Sequence, residues 1–342
     1  MPDMVEKKRT GVNWNLVIKL VVTCGIIGYL IHTQDWGKIL GIVRTADKTG
    51  IAISVAISGA VISMLSFRWW IILRIQKIHL PLPRLIGLNL IGQFFNSFLL
   101  GSTGGDVVRV YYLIRQVPDR KALATLSLVI DRVFGLAALL IVAAFALPSQ
   151  LTVLDRDPHT RQIAFFLYLI LAAGGLAGIA ALYSPLHKLP PFFHRLWLRV
   201  PKRELVAEIF HGGRAYGRSI PLSLSALGLG CVIHLTNFAA AWFIMRALGL
   251  EVDFISAVIM MALIIAAMCL PISISGFGVR EAMFILMFSL YGLIGDAPGM
   301  RGSEYAVAAS LLYYARDLFW SLAGGLVYLG WSHQRKADPA VS

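Results

Sequence analysis

The sequence predicts an all-α, polytopic membrane protein, and three observations carry that expectation. Of its 342 residues 58% are hydrophobic and only 14% charged, with a mean hydropathy of +0.73. A soluble domain of this length does not bury so much apolar surface. The apolar residues gather into runs at about 14–32, 51–73, 85–100, 123–147, 163–184, 220–247, 254–270, 282–295 and 305–331. Finally, the Lys and Arg residues behind a formal charge of +13 lie between those runs. That distribution follows the positive-inside rule, and it removes the nucleic-acid reading that a basic soluble protein would invite.

Taken in order, residues 1–13 form a cytoplasmic tail carrying Lys7, Lys8 and Arg9. The run from Trp14 to Ile31 is too long for a signal-peptide core and has no small-residue cleavage site after it, so it reads as an uncleaved first span. Lys19 then snorkels toward the interface. The run 51–73 is a full span, and the segment 74–84 after it holds Arg74, Lys77 and Arg84 and no acid, which places it inside. The next run, 85–100, is short, contains Asn89, Gln93 and Asn96, and ends in GSTGGD. Short runs broken by glycine read as re-entrant, here over about 85–120. The run 123–147 spans again, and the loop 148–162 balances Asp155 and Asp157 against Arg156 and Arg161, which suits the outside.

The second half begins with a span at 163–184. The stretch 185–219 sets Lys188, Arg195, Arg199, Lys202, Arg203, Arg214 and Arg218 against Glu204 and Glu208, so it lies inside. Its interleaved Phe192, Phe193, Leu196 and Trp197 fit an amphipathic helix in the interface or an ordinary basic loop. A span at 220–247 leads to Glu251 and Asp253, an external signature. The runs 254–270 and 282–295 are each too short to cross comfortably, and they give a second re-entrant segment over about 254–295. A last span ends near 331, and the tail 332–342 carries Arg335 and Lys336. The sum is about six full spans and two re-entrant hairpins, with both termini cytoplasmic.

Residues 14–147 and 163–331 thus read alike but start on opposite sides, the pattern of an inverted-topology repeat. Aligning Arg109 with Arg280 puts Gly105 on Gly276 and Ser102 on Ser273. Downstream, Asp131–Arg132 and Arg316–Asp317 set an acid and a base side by side in the span after each hairpin.

These polar residues carry the expected chemistry. Each hairpin breaks at small residues, and a half-helix starts at about Asp106 or Val279, where its first N–H groups lack partners and bear partial positive charge. Glycines let a ligand approach the backbone, and an arginine in the first turn offers a planar fork to phosphate or carboxylate. A lipid head-group site is therefore expected from Ser102, Gly104, Gly105, Asp106, Arg109, Ser273, Ser275, Gly276, Gly278, Arg280 and Glu281. Asp131, Arg132, Arg316 and Asp317 are expected as buried charge pairs. Two readings stand: pairs that only hold the bundle together, or pairs that open onto a ligand. Asn96, His234 and Asn237 could line the same cavity, although a lone polar pair more commonly makes a helix–helix hydrogen bond. Cys24, Cys231 and Cys269 are far apart within apolar runs and read as small buried hydrophobes, with no metal spacing. No P-loop, HExxH or GxSxG is present, so no cofactor is expected and an ATP-driven pump is excluded within this chain.

In NSFLLGSTGGDVVRVYYL, LVIDRVFGL and LPISISGFGVREAMF, the chain resembles the lysylphosphatidylglycerol synthase transmembrane-region family, the flippase-like integral membrane proteins. The marks are GGD followed by Arg109, the Asp131–Arg132 pair, and the run from Pro271 to Glu281. Some members of that family add a soluble acyltransferase-like domain that attaches lysine to phosphatidylglycerol. The expectation here is a stand-alone member without it. The resemblance implies translocation of a phospholipid or lipid intermediate for envelope lipid synthesis in a prokaryotic inner membrane. The alternatives are a head-group transferase using Glu281 or Asp106 as acid/base, or a non-catalytic subunit of a lipid-modifying complex. The expected partners are a membrane lipid with an anionic head group and, beside it, lipid-biosynthetic enzymes.

Overall fold

The computed structural model describes residues 31–98, 104–150, 212–269, 276–295 and 301–337, with a few helical positions in 25–29 and 162–176. All regular structure among these residues is helical. Nine α-helices can be bounded among the described residues, in chain order: α1 Trp36–Thr45, α2 Lys48–Ile75, α3 Leu82–Phe98, α4 Gly104–Gln116, α5 Lys121–Ala146, α6 Ile220–Ala247, α7 Phe254–Cys269, α8 Val279–Leu290 and α9 Glu304–Ala337. Among the described residues three stretches are long and apolar enough to cross a membrane: α2, the continuous segment Pro118–Ser149 around α5, and α6. The 34 residues of α9 rise about 51 Å, more than a bilayer core needs. Arg316 and Asp317 interrupt its apolar pattern.

Local chemistry sets the boundaries. Asp47 caps α2 by accepting the N–H groups of Thr49 and Gly50, and those bonds hold its carboxyl below the ordinary carboxylate range. The other end of α2 closes in a left-handed turn: Lys77 N–H donates to Arg74 O and Ile78 N–H to Leu73 O, with Lys77 at φ 56°. The ends of α6 and α8 use the same turn with glycine in that position, Gly249 and Gly292. The ten-residue α1 is not foreshadowed by any apolar run. It is capped by Asp35 and rests on α9, where Lys38 meets Glu304 at 3.4 Å.

The two candidate re-entrant segments are both pairs of short helices. With 17 and 13 residues, α3 and α4 rise about 26 and 20 Å; α7 and α8, with 16 and 12, rise about 24 and 18 Å. None matches the ~30 Å of a hydrocarbon core. Helix α4 starts at Gly104, two residues before the position expected from sequence, whereas α8 starts at Val279 as expected.

Packing has the same order in the two halves. At the centre α2 and α6 lie antiparallel, with the start of α2 (Asp47, Gly50) against the end of α6 (Ala247) and Ser54 Oγ donating to Ala240 O at 2.8 Å. Helix α3 packs on α2, and α7 on α6. Helix α4 packs on α5, and α8 on α9. Each hairpin also leans on the last long helix of the other half, α3 on α9 and α7 on α5. The α3–α9 seam is closed by small residues: a side chain at Gly324 would strike the Leu90 carbonyl, and one at Gly87 the ring of Trp331. Around α7 lies a large apolar core that includes Ile259, Met260, Phe284 and Phe288. Of the cysteines, Cys231 is half-buried and Cys269 is exposed, not buried as its apolar run suggested.

Candidate functional site

In the first half, Gly105 is where α4 meets α3. A Cβ there would collide with the carbonyl of Gly92 and the side chain of Asn96, so only glycine permits this approach. The Gly105 N–H donates to Asn96 Oδ1 at 2.8 Å, which satisfies one of the unpaired groups at the start of α4. Asn96 is thus an internal cap. One turn on, Arg109 is buried, stacks its guanidinium 4.4 Å from the Trp69 ring, and donates through Nη1 to Asp106 Oδ1 at 3.2 Å. Its Nε is buried and makes no hydrogen bond. The other oxygen of Asp106 accepts Arg132, Nη2 at 2.6 Å and Nε at 3.0 Å. Two arginines therefore share one carboxylate. The Arg132 side chain is 58% exposed, and Val129, one turn before it on α5, is exposed as well.

Sequence neighbours are not partners here. Asp131 and Arg132 do not bind one another: Asp131 is buried, whereas Arg132 is exposed and bound to Asp106. Asp131 turns inward and binds Arg68 of α2, Nε to Oδ1 at 2.9 Å, with both side chains buried. Arg68 escaped the sequence reading, although a lone arginine inside an apolar span already calls for a partner.

The second hairpin is built differently. Gly276 and Gly278 have φ of 76° and 82°, values open to glycine. Arg280 is 2% exposed and its neighbour Glu281 6%. Arg280 donates through Nη2 and Nε to Glu281 Oε1 and through Nε to Ser310 Oγ at 2.8 Å. Ser310 returns a hydrogen bond to Glu281 at 3.0 Å, and Glu281 Oε2 accepts the Gly278 N–H at 2.7 Å. The rings of Phe277 and Tyr314 flank the guanidinium, with centroids at 5.4 and 4.8 Å. A carboxylate from the chain itself thus lies where α8 begins.

Arg316 also pairs mainly across helices. Its Nη2 donates to Asn237 Oδ1 at 2.7 Å, and its guanidinium lies 4.0 Å from the Tyr313 ring. Its Nε sits 3.2 Å from Asp317 but without an angle that makes a hydrogen bond. His234 Nε2 meets the Gly135 carbonyl of α5 at 3.0 Å, a helix–helix hydrogen bond. Gly104 is half-buried at the start of α4. Ser102, Ser273 and Ser275 lie outside the described residues, as do most of 148–162 and 185–219.

A profile of the lysylphosphatidylglycerol synthase TM region matches residues 16–325. The chain belongs to that family. It is also similar to a UPF0104 membrane protein of Methanothermobacter thermautotrophicus, 22% identical over 331 residues that cover 90% of this chain and 89% of that one. The match takes in both hairpins, so the paired short helices lie within the family's span. The protein is an integral membrane protein of a lipid-related family.

Proposed function

We propose that the chain is a lipid translocator of a prokaryotic inner membrane, moving a phospholipid or lipid intermediate with an anionic head group. One observation supports this reading above the others: Arg109 and Arg132 share the single carboxylate of Asp106, and one donor of Arg109 is left unbonded. A net positive cluster inside an apolar helix bundle is costly unless an anion joins it. Arg132 is exposed, and one turn before it on α5 the apolar Val129 is exposed too, which suits a head group arriving sideways while its acyl chains remain in the bilayer. The matching order of helices in the two halves, with α2 and α6 antiparallel, supports an inverted repeat and hence access from either side.

The second hairpin has another role in this reading. Arg280 and Glu281 satisfy each other with Ser310, so they hold α8 against α9, and the head group binds at Asp106, Arg109 and Arg132. The observations weigh against head-group transfer as the activity. Both oxygens of Glu281 and both of Asp106 already accept hydrogen bonds, so a substrate proton would compete with donors of the chain itself.

The test is translocation of labelled phosphatidylglycerol and phosphatidylcholine in proteoliposomes, wild type beside Arg132→Gln. Loss of a charge-assisted contact predicts a fall of about tenfold or more for phosphatidylglycerol. Equal rates for the two proteins would remove Arg132 from the site. A modified lipid in the product would move the protein to the transferases.

A further inference from the structure

A second polar feature lies away from these arginines, where α2 ends. A cleft of about 410 Å³ is bounded by Phe67, Trp70, Arg74, His79, Leu80, Pro81 and Leu82. That volume falls in the range of small-ligand sites. We propose that this cleft binds the glycerol-phosphate portion of an anionic phospholipid, at a site separate from the Asp106 cluster.

The order of groups along α2 carries the assignment. Phe67, Trp70 and Arg74 are spaced three and four residues apart, so they form one stripe on a helix that crosses the membrane. Phe67 and Trp70 stack with centroids 5.5 Å apart, and the Arg74 guanidinium lies 4.2 Å from the Trp70 ring. From Phe67 to Arg74 is about 10 Å along the axis. A phospholipid shows the same sequence over its own length, from chain to ester to phosphate.

The cation is available. No group among the described residues accepts a hydrogen bond from the Arg74 guanidinium, which is exposed and held in place by the indole beneath it. A planar fork fixed in this way matches two phosphate oxygens. His79, exposed across the cleft, adds a ring N–H. Leu80, Pro81 and Leu82 supply the apolar wall.

The surroundings select for negative charge. Residues 74–84 contain Arg74, Lys77 and Arg84 and no acid. Arg120 reaches the same turn, donating Nη1 to the carbonyls of Gln76 and Lys77 at 3.1 Å each. Lys77 stands in the left-handed position that Gly249 and Gly292 fill in the two comparable turns. A side chain in that conformation costs about 1–2 kcal/mol, and here it sets another cation two residues from His79. Such a basic surface at the end of a span attracts anionic lipid.

A phosphatidylglycerol carrying a photoreactive group beside its phosphate tests the site in proteoliposomes. Labelling is read by mass spectrometry on the tryptic peptide Ile78–Arg84. Wild type is expected to label there; Arg74→Gln lowers that label about tenfold, and an excess of inorganic phosphate leaves it in place. Arg132→Gln leaves it unchanged, which separates this cleft from the translocation site. Absence of label from the peptide, equal label in Arg74→Gln, or its abolition by inorganic phosphate would each overturn the proposal. Equal labelling by a phosphatidylcholine probe would overturn the preference for anionic lipid. Arg74 is exposed, and thermal unfolding of the variant checks that its fold is kept.

Discussion

The two hairpins carry an arginine near the start of their second helix, yet they neutralise it in opposite ways. On α8, Arg280 is enclosed with Glu281 and Ser310, and the same carboxylate caps the Gly278 N–H. On α4 the cap is the neutral amide of Asn96, and the nearest acid, Asp106, is divided between Arg109 and Arg132. One half thus carries its own anion at the helix start, and the other has a cation in excess. Corresponding positions in two similarly packed hairpins need not do equivalent work. Counting the charges that share each carboxylate separates a structural arginine from one that can take a ligand.

That contrast can be broken by substitution. The largest effect is expected from Arg280→Gln, which leaves Glu281 buried without its counter-ion; a loss of about 3–5 kcal/mol should appear in thermal or denaturant unfolding. The double variant Arg280→Met with Glu281→Gln should regain most of it, since an apolar replacement also removes the stranded charge. Wild-type stability in the single variant would mean that the pair does not hold α8. Next comes Gly324→Ala, whose methyl group meets the Leu90 carbonyl and pushes α3 from α9, at about 1–3 kcal/mol. Its unfolding midpoint reports the cost, and slowed translocation would connect the hairpin's seat to Arg109. Trp69→Phe keeps a ring under Arg109 but removes the indole N–H bond to Ser127, for about 1 kcal/mol. Arg132→Gln should change stability least, by under about 1 kcal/mol, because the arginine is largely exposed and Asp106 keeps Arg109. It should change transport most. An Arg132→Gln protein that lost stability but kept transport would reverse the assignment of the two halves.

The helices were largely legible in the sequence because runs of apolar residues define them directly. The run 220–247 is α6 to the residue, and each of the two broken segments holds a pair of short helices. The ten-residue α1 was not legible, since it depends on its Asp35 cap and on the surface of α9. The site was half legible. Its residue types and spacing stood out against the apolar background, whereas the partners did not. Arg68 and Asp131 are 63 positions apart, and Ser310 meets Glu281 across 29. Only the packing of α2 on α5, and of α8 on α9, brings those atoms together. Whether an arginine is satisfied is a property of the assembled bundle.

The central contact has a consequence for assembly. Helix α2 meets α6, which holds the same place in the packing order of the other half, and the two run antiparallel. A surface that pairs with its own equivalent is the contact found in a two-fold homodimer, here enclosed within one polypeptide. Because one chain carries both helices, each meets the other at the effective concentration set within a single molecule.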